Sequence, residues 1–441
     1  MKVLKALGAT VLILLCTALL AFSGFFLWSS IPRADRQPER LDTEDIFLEE
    51  TPADPLPPAD DAEEPEPEQT PEEEEVPEQQ PEEEEPPEEE PEPLTPAQAA
   101  AAYLQTMTPE ERIWQLFFVT PESLTEHELV TRAGETTQEF IQSRPVGGLI
   151  YFADNLIDRE QVQALLGNVQ TYSKTPLFLG VDEEGGVVSR AGSNDALGVT
   201  HFEPAEEYGL RGNAEEVYYV GRVMALELGQ LGFNLNFAPV ADVITNENNT
   251  EIGSRAYSSD PNVAAPLVSA MVQGMQEAGM AACLKHFPGH GSTETDSHEG
   301  KSVSTRTLEE LQQTEWIPFQ AGIDQGAAFV MVGHQTNENL SPMPASLSPA
   351  VMAYLRNALN FDGIIITDSM QMGAILNEYT SAEAAVLALQ AGADMLLMPN
   401  DLQTAYDGVL AAVADGTLTQ ARIDESVLRI LTAKYAFGIL E

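Results

Sequence analysis

Three of the chain's six histidines fall in one short segment, Lys285-His286-Phe287-Pro288-Gly289-His290-Gly291-Ser292-Thr293-Glu294-Thr295-Asp296-Ser297-His298. Three kinds of chemistry compete for it. His286, His290 and His298 could ligate a metal, and His-x3-His is a ligand spacing when it lies on a helix. Pro288, Gly289 and Gly291 argue against a helix here and so remove the geometric reason for that spacing. The segment could instead be a structural loop whose imidazoles are satisfied by backbone groups. In the third reading, Asp296 and His298 form a dyad. An aspartate two residues before a histidine can orient the imidazole and stabilise its protonated form, giving a general acid/base that works near neutral pH.

The elements that would position such a loop are legible as short apolar runs, each followed by an amphipathic stretch. The runs are 147–152, 177–181, 233–238, 281–284, 329–333, 363–367 and 395–398, and an eighth is expected between Pro239 and Ala281. Strands of this composition alternating with helices imply a parallel sheet covered on both faces. About eight units in some 345 residues predict a single (β/α)8 TIM barrel rather than a doubly wound sheet. No Gly-x-Gly-x-x-Gly follows a strand run and there is no Walker loop, so nothing in the sequence supports a dinucleotide or nucleoside triphosphate site. Asp182, His286, His334 and Asp368 each follow a strand run, the edge of a barrel where catalytic groups gather. Each has a plainer reading too. Asp182 and Asp368 could cap the helices that follow. Arg190 and Arg255 could be ion-pair partners in loops, and Lys285 a packing stem. His334 and Asp394 are balanced between function and structure, and no motif supports His127 or His201.

At the histidine loop the sequence resembles the β-N-acetylglucosaminidase branch of glycoside hydrolase family 3, through Lys-His-Phe-Pro-Gly-His-Gly followed by Asp-Ser-His. The resemblance extends over nearly all of residues 100–441. It includes Asp182-Glu183-Glu184-Gly185-Gly186 with Arg190, the segments 236–243 and 252–255, residues 344–348 with 361–370, and 391–399. It implies Asp368 as catalytic nucleophile, His298 as general acid/base with Asp296 as its partner, and Asp182, Arg190, Arg255, Lys285 and His286 as residues that hold sugar hydroxyls. A retaining glycosidase needs a nucleophilic carboxylate on one face of the anomeric carbon and a proton donor near the leaving oxygen. The resemblance makes that donor an imidazole, which keeps a second anion away from the nucleophile. Arg255 and Lys285 would help keep Asp368 ionised. Two positions depart from the family pattern: Glu183 stands where Gln is common, and Val187 where Arg is common. The expected activity is exo-cleavage of terminal β-GlcNAc from peptidoglycan-derived or related saccharides, with no metal or cofactor. The rivals are a β-glucosidase or β-xylosidase, disfavoured if no second domain follows the barrel to supply the acid/base; a phosphorylase using phosphate in place of water; and, outside enzymology, a non-catalytic saccharide-binding module.

The rest of the chain concerns placement. Its 71 acidic and 21 basic residues give a formal charge of −50, which argues against nucleic acid as a partner. Two cysteines exclude a disulfide scaffold. Lys2 and Lys5 precede an uncharged stretch from Ala6 to Ile31, long enough to span a bilayer and bordered by Trp28. Residues 1–33 therefore read as a membrane anchor. The alternative is a signal cleaved near Ala21-Phe22-Ser23. Residues 34–95 are dominated by Glu and Pro, with 25 acidic and no basic residues between Asp42 and Glu92, and read as a disordered, extended linker. Residues 96–441 form the catalytic barrel, expected to be extracytoplasmic, tethered and monomeric.

Overall fold

The computed structural model describes residues 93–293 and 301–441. The anchor and nearly all of the linker, and the segment 294–300 with Asp296 and His298, lie outside the described residues. Among the described residues no helix is long and apolar enough to cross a membrane.

Eight parallel strands form one sheet: β1 (Phe117–Val119), β2 (Gly148–Tyr151), β3 (Phe178–Val181), β4 (Leu235–Asn236), β5 (Ala281–Phe287), β6 (Phe329–Val332), β7 (Ile364–Thr367) and β8 (Leu396–Leu397). Each pairs with its sequence neighbour, β1 also pairs with β8, and a parallel bridge from Ile366 to Met395 joins β7 to β8. That bridge brings the sheet round to a nearly closed barrel. The helices α1 (Glu135–Ser143), α2 (Arg159–Tyr172), α3 (Ala214–Leu231), α4 (Pro261–Glu277), α5 (Trp316–Asp324), α6 (Pro349–Ala353), α7 (Ser381–Ala391), α8 (Leu402–Asp415) and α9 (Gln420–Ala436) lie around it.

Local sequence sets the helix limits. Asn213 caps α3 through Glu215 and Glu216 N–H, and Gly232 ends it at φ 106°, a conformation that favours glycine. Thr380 and Glu383 form a reciprocal capping box on α7. The strands are buried along their whole length, and the barrel interior is filled by complementary sizes. Phe118 and Phe237 meet edge to face at 5.3 Å, opposite Gly148 and Gly180. A Cβ at Gly148 would come within 2.4 Å of the Phe118 ring, so the glycines make room for the aromatics.

Seven strand runs expected from sequence are strands, six of them trimmed at their ends and 281–284 extended to Phe287. The eighth is a correction. Residues 239–281 hold a loop and α4, and the missing strand is β1, which begins three residues after the short helix Pro109–Trp114. Its three apolar residues continue the helix's own run, Ile113-Trp114, through Gln115 and Leu116 with no turn residue between. Periodicity had nothing there to divide.

Candidate active site

The carboxyl ends of the strands open onto a cavity of about 420 Å³, lined by Asp182, Glu184, Arg190, Glu251, Arg255, Lys285, His286 and Asp368, with an apolar side that includes Phe152, Met331, Met372 and Met398. Hollows of about 590 and 610 Å³ lie among the outer helices, but size does not choose the site; converging polar groups beside an apolar wall do. Six of the eight residues expected from sequence line this cavity. Asp296 and His298 fall outside the described residues.

Asp182 follows β3 directly, and the chain then folds into a small antiparallel hairpin, Glu183–Gly185 with Val188–Ser189. Its turn needs Gly185 and Gly186, at φ 87° and 57°; a Cβ on either would lie under 3 Å from the chain at Glu203 or Pro204. On β4, Asn236 grips Glu183 from both sides, accepting from its N–H at 2.9 Å and donating to its C=O at 2.8 Å. The hairpin is thus fixed to the barrel floor, and Glu184 is turned toward the cavity. Val187, exposed at the hairpin tip, does not line the cavity.

Lys285 and His286 are consecutive residues of β5, yet both line the cavity. The β5–β6 register shifts between Leu284 and Phe287, which breaks the usual alternation of side chains. Lys285 Nζ reaches Asp182 Oδ1 at 2.7 Å and Glu184 Oε1 at 2.6 Å. Arg255, in the short turn Gly253–Arg255, holds Glu184 with two parallel bonds, Nε at 2.8 Å and Nη2 at 2.9 Å. Burial works to raise the Glu184 carboxyl, but the charges of Lys285 and Arg255 dominate and hold it down at about 2. For Lys285, burial works against the ammonium and is overcome by Asp182 and Glu184, so its pKa is raised and it stays charged.

His286 is oriented from below. Its Nδ1 lies 2.8 Å from Asp242 Oδ2, and Asp242 also accepts from the N–H groups of His286 and His290, at 3.1 and 2.6 Å. His290 places its Nδ1 2.9 Å from Thr293 Oγ1. Its Nε2 lies 3.4 Å from Glu251 Oε2, so the ring's partners are side chains rather than backbone groups, while His286 reaches the cavity itself. Among the described residues no group of three His, Cys, Asp or Glu side chains is arranged to hold a metal.

Asp368 follows β7. Its N–H donates to Val332 O at 2.9 Å, tying it to β6, and its Oδ1 accepts from Ser369 N–H at 2.7 Å. Burial would raise this carboxyl; the fields of His286, His334 and Lys285, with the Ser369 bond, hold it below the ordinary aspartate range. His334, after β6, places Nε2 2.9 Å from Ser369 O and Nδ1 2.7 Å from Ser346 Oγ. It fixes the turn that carries Asp368. Asp394 lies elsewhere: it precedes β8, at the opposite end of the barrel, bound to Arg356, Arg422 and Arg429.

Sequence reading did not assign Glu184, Asp242 or Glu251. The first two stand inside segments already singled out, Asp182–Gly186 and Asn236–Val243. Their partners are 71 and 44 residues away, so nothing local marked them.

The profile of the glycosyl hydrolase family 3 N-terminal domain matches residues 108–433, most of the chain. The chain belongs to glycosyl hydrolase family 3. Within that family it is similar to a β-hexosaminidase of Xylella fastidiosa strain 9a5c, 35% identical over 267 residues, 59% of this chain and 78% of that protein. A β-hexosaminidase of Chromobacterium violaceum is 35% identical over 276 residues, 61% of this chain and 76% of that one. Among solved structures, a family 3 β-N-acetylglucosaminidase from Paenibacillus sp. FPU-7 superposes with a TM-score of 0.71 at 35% identity, over 76% of this chain and 63% of its own length. A family 3 glycosyl hydrolase from Mycobacterium smegmatis gives 0.67 at 32%, over 77% of this chain and 98% of that one. This family 3 chain is a glycoside hydrolase of the β-hexosaminidase branch.

Proposed function

We propose that the chain is a retaining exo-β-N-acetylglucosaminidase, with Asp368 as nucleophile and His298 as acid/base. The observation that carries this reading is the setting of Asp368: a carboxylate kept ionised at a strand end, in the same cavity as Arg190, Arg255, Lys285 and His286. Asp368 attacks C1 as His298 protonates the leaving oxygen, so the C1–O bond to the aglycone breaks as the bond to Asp368 Oδ forms. Water then attacks C1 as His298 takes its proton, the C1–Oδ bond to Asp368 breaks to restore the carboxylate, and the sugar leaves with its configuration retained. Asp296, two residues before His298, orients the imidazole and supports its charged form. Asp182, Arg190, Arg255, Lys285 and His286 hold the hydroxyls of the terminal sugar. The similar β-N-acetylglucosaminidase and β-hexosaminidases support GlcNAc as that sugar, and an imidazole donor, which puts no second anion beside Asp368, suits fragments of an anionic cell wall.

Residues 1–33 act as an anchor and residues 34–95 as a strut, placing the barrel outside the membrane. In polyproline geometry, at about 3 Å per residue, such a strut reaches well over about 100 Å. Shortening residues 52–91 is expected to leave hydrolysis of soluble substrate intact and to reduce sugar release from intact walls; equal wall activity would refute the need for reach.

The test of substrate is nitrophenol release from the β-nitrophenyl glycosides of GlcNAc, glucose and xylose, with and without phosphate. Preference for GlcNAc with no gain from phosphate is the expected result. Preference for glucose or xylose, or a rate that requires phosphate, would overturn the assignment of substrate or of acceptor. Binding without turnover of any glycoside would favour a binding module.

A further inference from the structure

We propose that Glu183 is the positioning residue of Arg190, acting through the Ser189 hydroxyl before it and the Ala191 and Gly192 N–H groups after it. Glu183 is fully buried between two residues that face the cavity, Asp182 and Glu184, but its own carboxylate is turned the other way. One oxygen, Oε2, accepts from Ala191 N–H at 2.7 Å and Gly192 N–H at 3.2 Å. The other, Oε1, accepts from Ser189 Oγ, and Ser189 Oγ in turn lies 3.1 Å from Nδ1 of the exposed His201. The bonded residues are 189, 191 and 192, so one carboxylate brackets residue 190 from both sides.

Arg190 needs such a bracket because its other restraints are weak: its own N–H reaches Asp182 O only at 3.4 Å. Among the described residues its guanidinium makes no hydrogen bond or ion pair, and its buried Nε has no partner. Its side-chain contact is the face of Phe152, with Cζ 5.7 Å from the ring centroid. Arg255 and Lys285, by contrast, are fixed by direct bonds to Glu184. A cation on a ring face can slide, whereas a doubly bonded one cannot. The direction in which Arg190 enters the cavity is therefore set by its main chain, and the main chain is set by Glu183. The carboxylate is itself well fixed, because Asn236 holds the Glu183 N–H and C=O. Burial pushes the Glu183 carboxyl up, while Ser189, Ala191 and Gly192 supply the donors that make its charge tolerable.

An amide could keep the bracket. In Glu183→Gln the side-chain oxygen can still accept from Ala191 and Gly192, and the –NH2 can donate to Ser189 Oγ. Glu183→Ala cannot.

This inference rests on the cavity being the glycosidase site, and the test separates the two. Using the full chain, kcat/KM for the β-nitrophenyl glycoside of GlcNAc is measured for a double-mutant cycle of Glu183→Ala and Arg190→Ala, with Glu183→Gln as rescue and thermal unfolding as a control. Misplacing a binding group by about 1 Å costs on the order of 100-fold, so Glu183→Ala is expected to lose between about tenfold and 100-fold. In the Arg190→Ala background the same change is expected to cost less than about threefold, and Glu183→Gln to stay within about threefold of the starting protein. Losses that multiply in the double variant would overturn the proposal, as would a folded Glu183→Ala with unchanged kcat/KM. If Glu183→Ala does not fold, Ser189→Ala replaces it in the cycle, removing one arm of the bracket, with the same criterion of non-additivity. Absence of turnover by the unmodified chain would count against the GlcNAc reading; turnover with an additive cycle would count against Glu183 alone.

Discussion

Two buried carboxylates organise the two ends of the barrel, and they do different things. Asp394, before β8, is fully buried and draws in Arg356, Arg422 and Arg429, with Ser426 Oγ at 2.6 Å and Ile365 N–H at 2.9 Å. Its arginines complete their bonding on the protein: Arg356 donates to Phe361 and Gly363 carbonyls, Arg422 to Ala393 O, Arg429 to Glu425. The cluster fastens α9 to the starts of β7 and β8. Glu184, at the other end, also gathers cations, but Arg255 and Lys285 line an open cavity with Asp182 and Asp368 beside them. The lesson is that a charged residue beside a barrel strand is read by which end it occupies. Before its strand Asp394 fastens; after its strand Glu184 lines the cavity.

The contrast breaks cleanly under mutation. The largest effect on stability is expected from Asp394→Ala, which strands buried arginines and costs about 3–5 kcal/mol. Chemical denaturation should show that loss, while kcat/KM per folded molecule stays near that of the unmodified chain. A folded Asp394→Ala with a large loss of kcat/KM would erase the distinction. Glu184→Gln is expected to cost less stability, about 2 kcal/mol, and to lower kcat/KM by about tenfold or more, because Arg255 and Lys285 lose their anchor. A loss of stability alone would make Glu184 a second Asp394.

pH sharpens the same comparison. Glu184 has a lower pKa in the folded protein, about 2, than its ordinary 4.5, so the folded state binds fewer protons than the unfolded one. Its contribution to stability is complete above about pH 4.5 and is lost as the pH falls toward about 2. The unfolding temperature of Glu184→Gln should therefore fall less steeply across that window, and parallel slopes would contradict the assignment. The smallest effect on turnover is expected from Asp242→Asn, whose –NH2 must face an N–H of His286 or His290: a several-fold loss of kcat/KM with a stability loss of about 1–3 kcal/mol, checked by the two assays together.

Much of this was legible in the chain. Strand runs at regular intervals gave the barrel and put Asp182, His286 and Asp368 on one face, because parallel strands must place their ends together; Arg190, Arg255 and Lys285 were legible only through the family resemblance. What was not legible depended on pairing across the fold. Lys285 meets Asp182 across 103 residues and Arg255 meets Glu184 across 71, distances at which no local pattern exists. The same holds for Asp394, whose neutral appearance in sequence becomes a structural role once Arg356, Arg422 and Arg429 converge on it. β1 was missed for a local reason: three apolar residues after an apolar helix carry no boundary. The Glu183 departure became interpretable only through its bonds to Ser189 Oγ and to the N–H groups of Ala191 and Gly192 around Arg190.

The central claim is that Asp368 is the nucleophile of a GlcNAc-releasing enzyme. The most direct test is to trap the glycosyl-enzyme with a slow-turnover fluorinated β-GlcNAc glycosyl donor and locate the adduct by peptide mass spectrometry. One added sugar is expected on the peptide containing Asp368, and no adduct in Asp368→Asn together with a loss of turnover of about 10⁴-fold or more. A stable adduct on another carboxylate such as Asp182 or Glu251, or an Asp368→Asn variant that still releases GlcNAc at an undiminished rate, would contradict it.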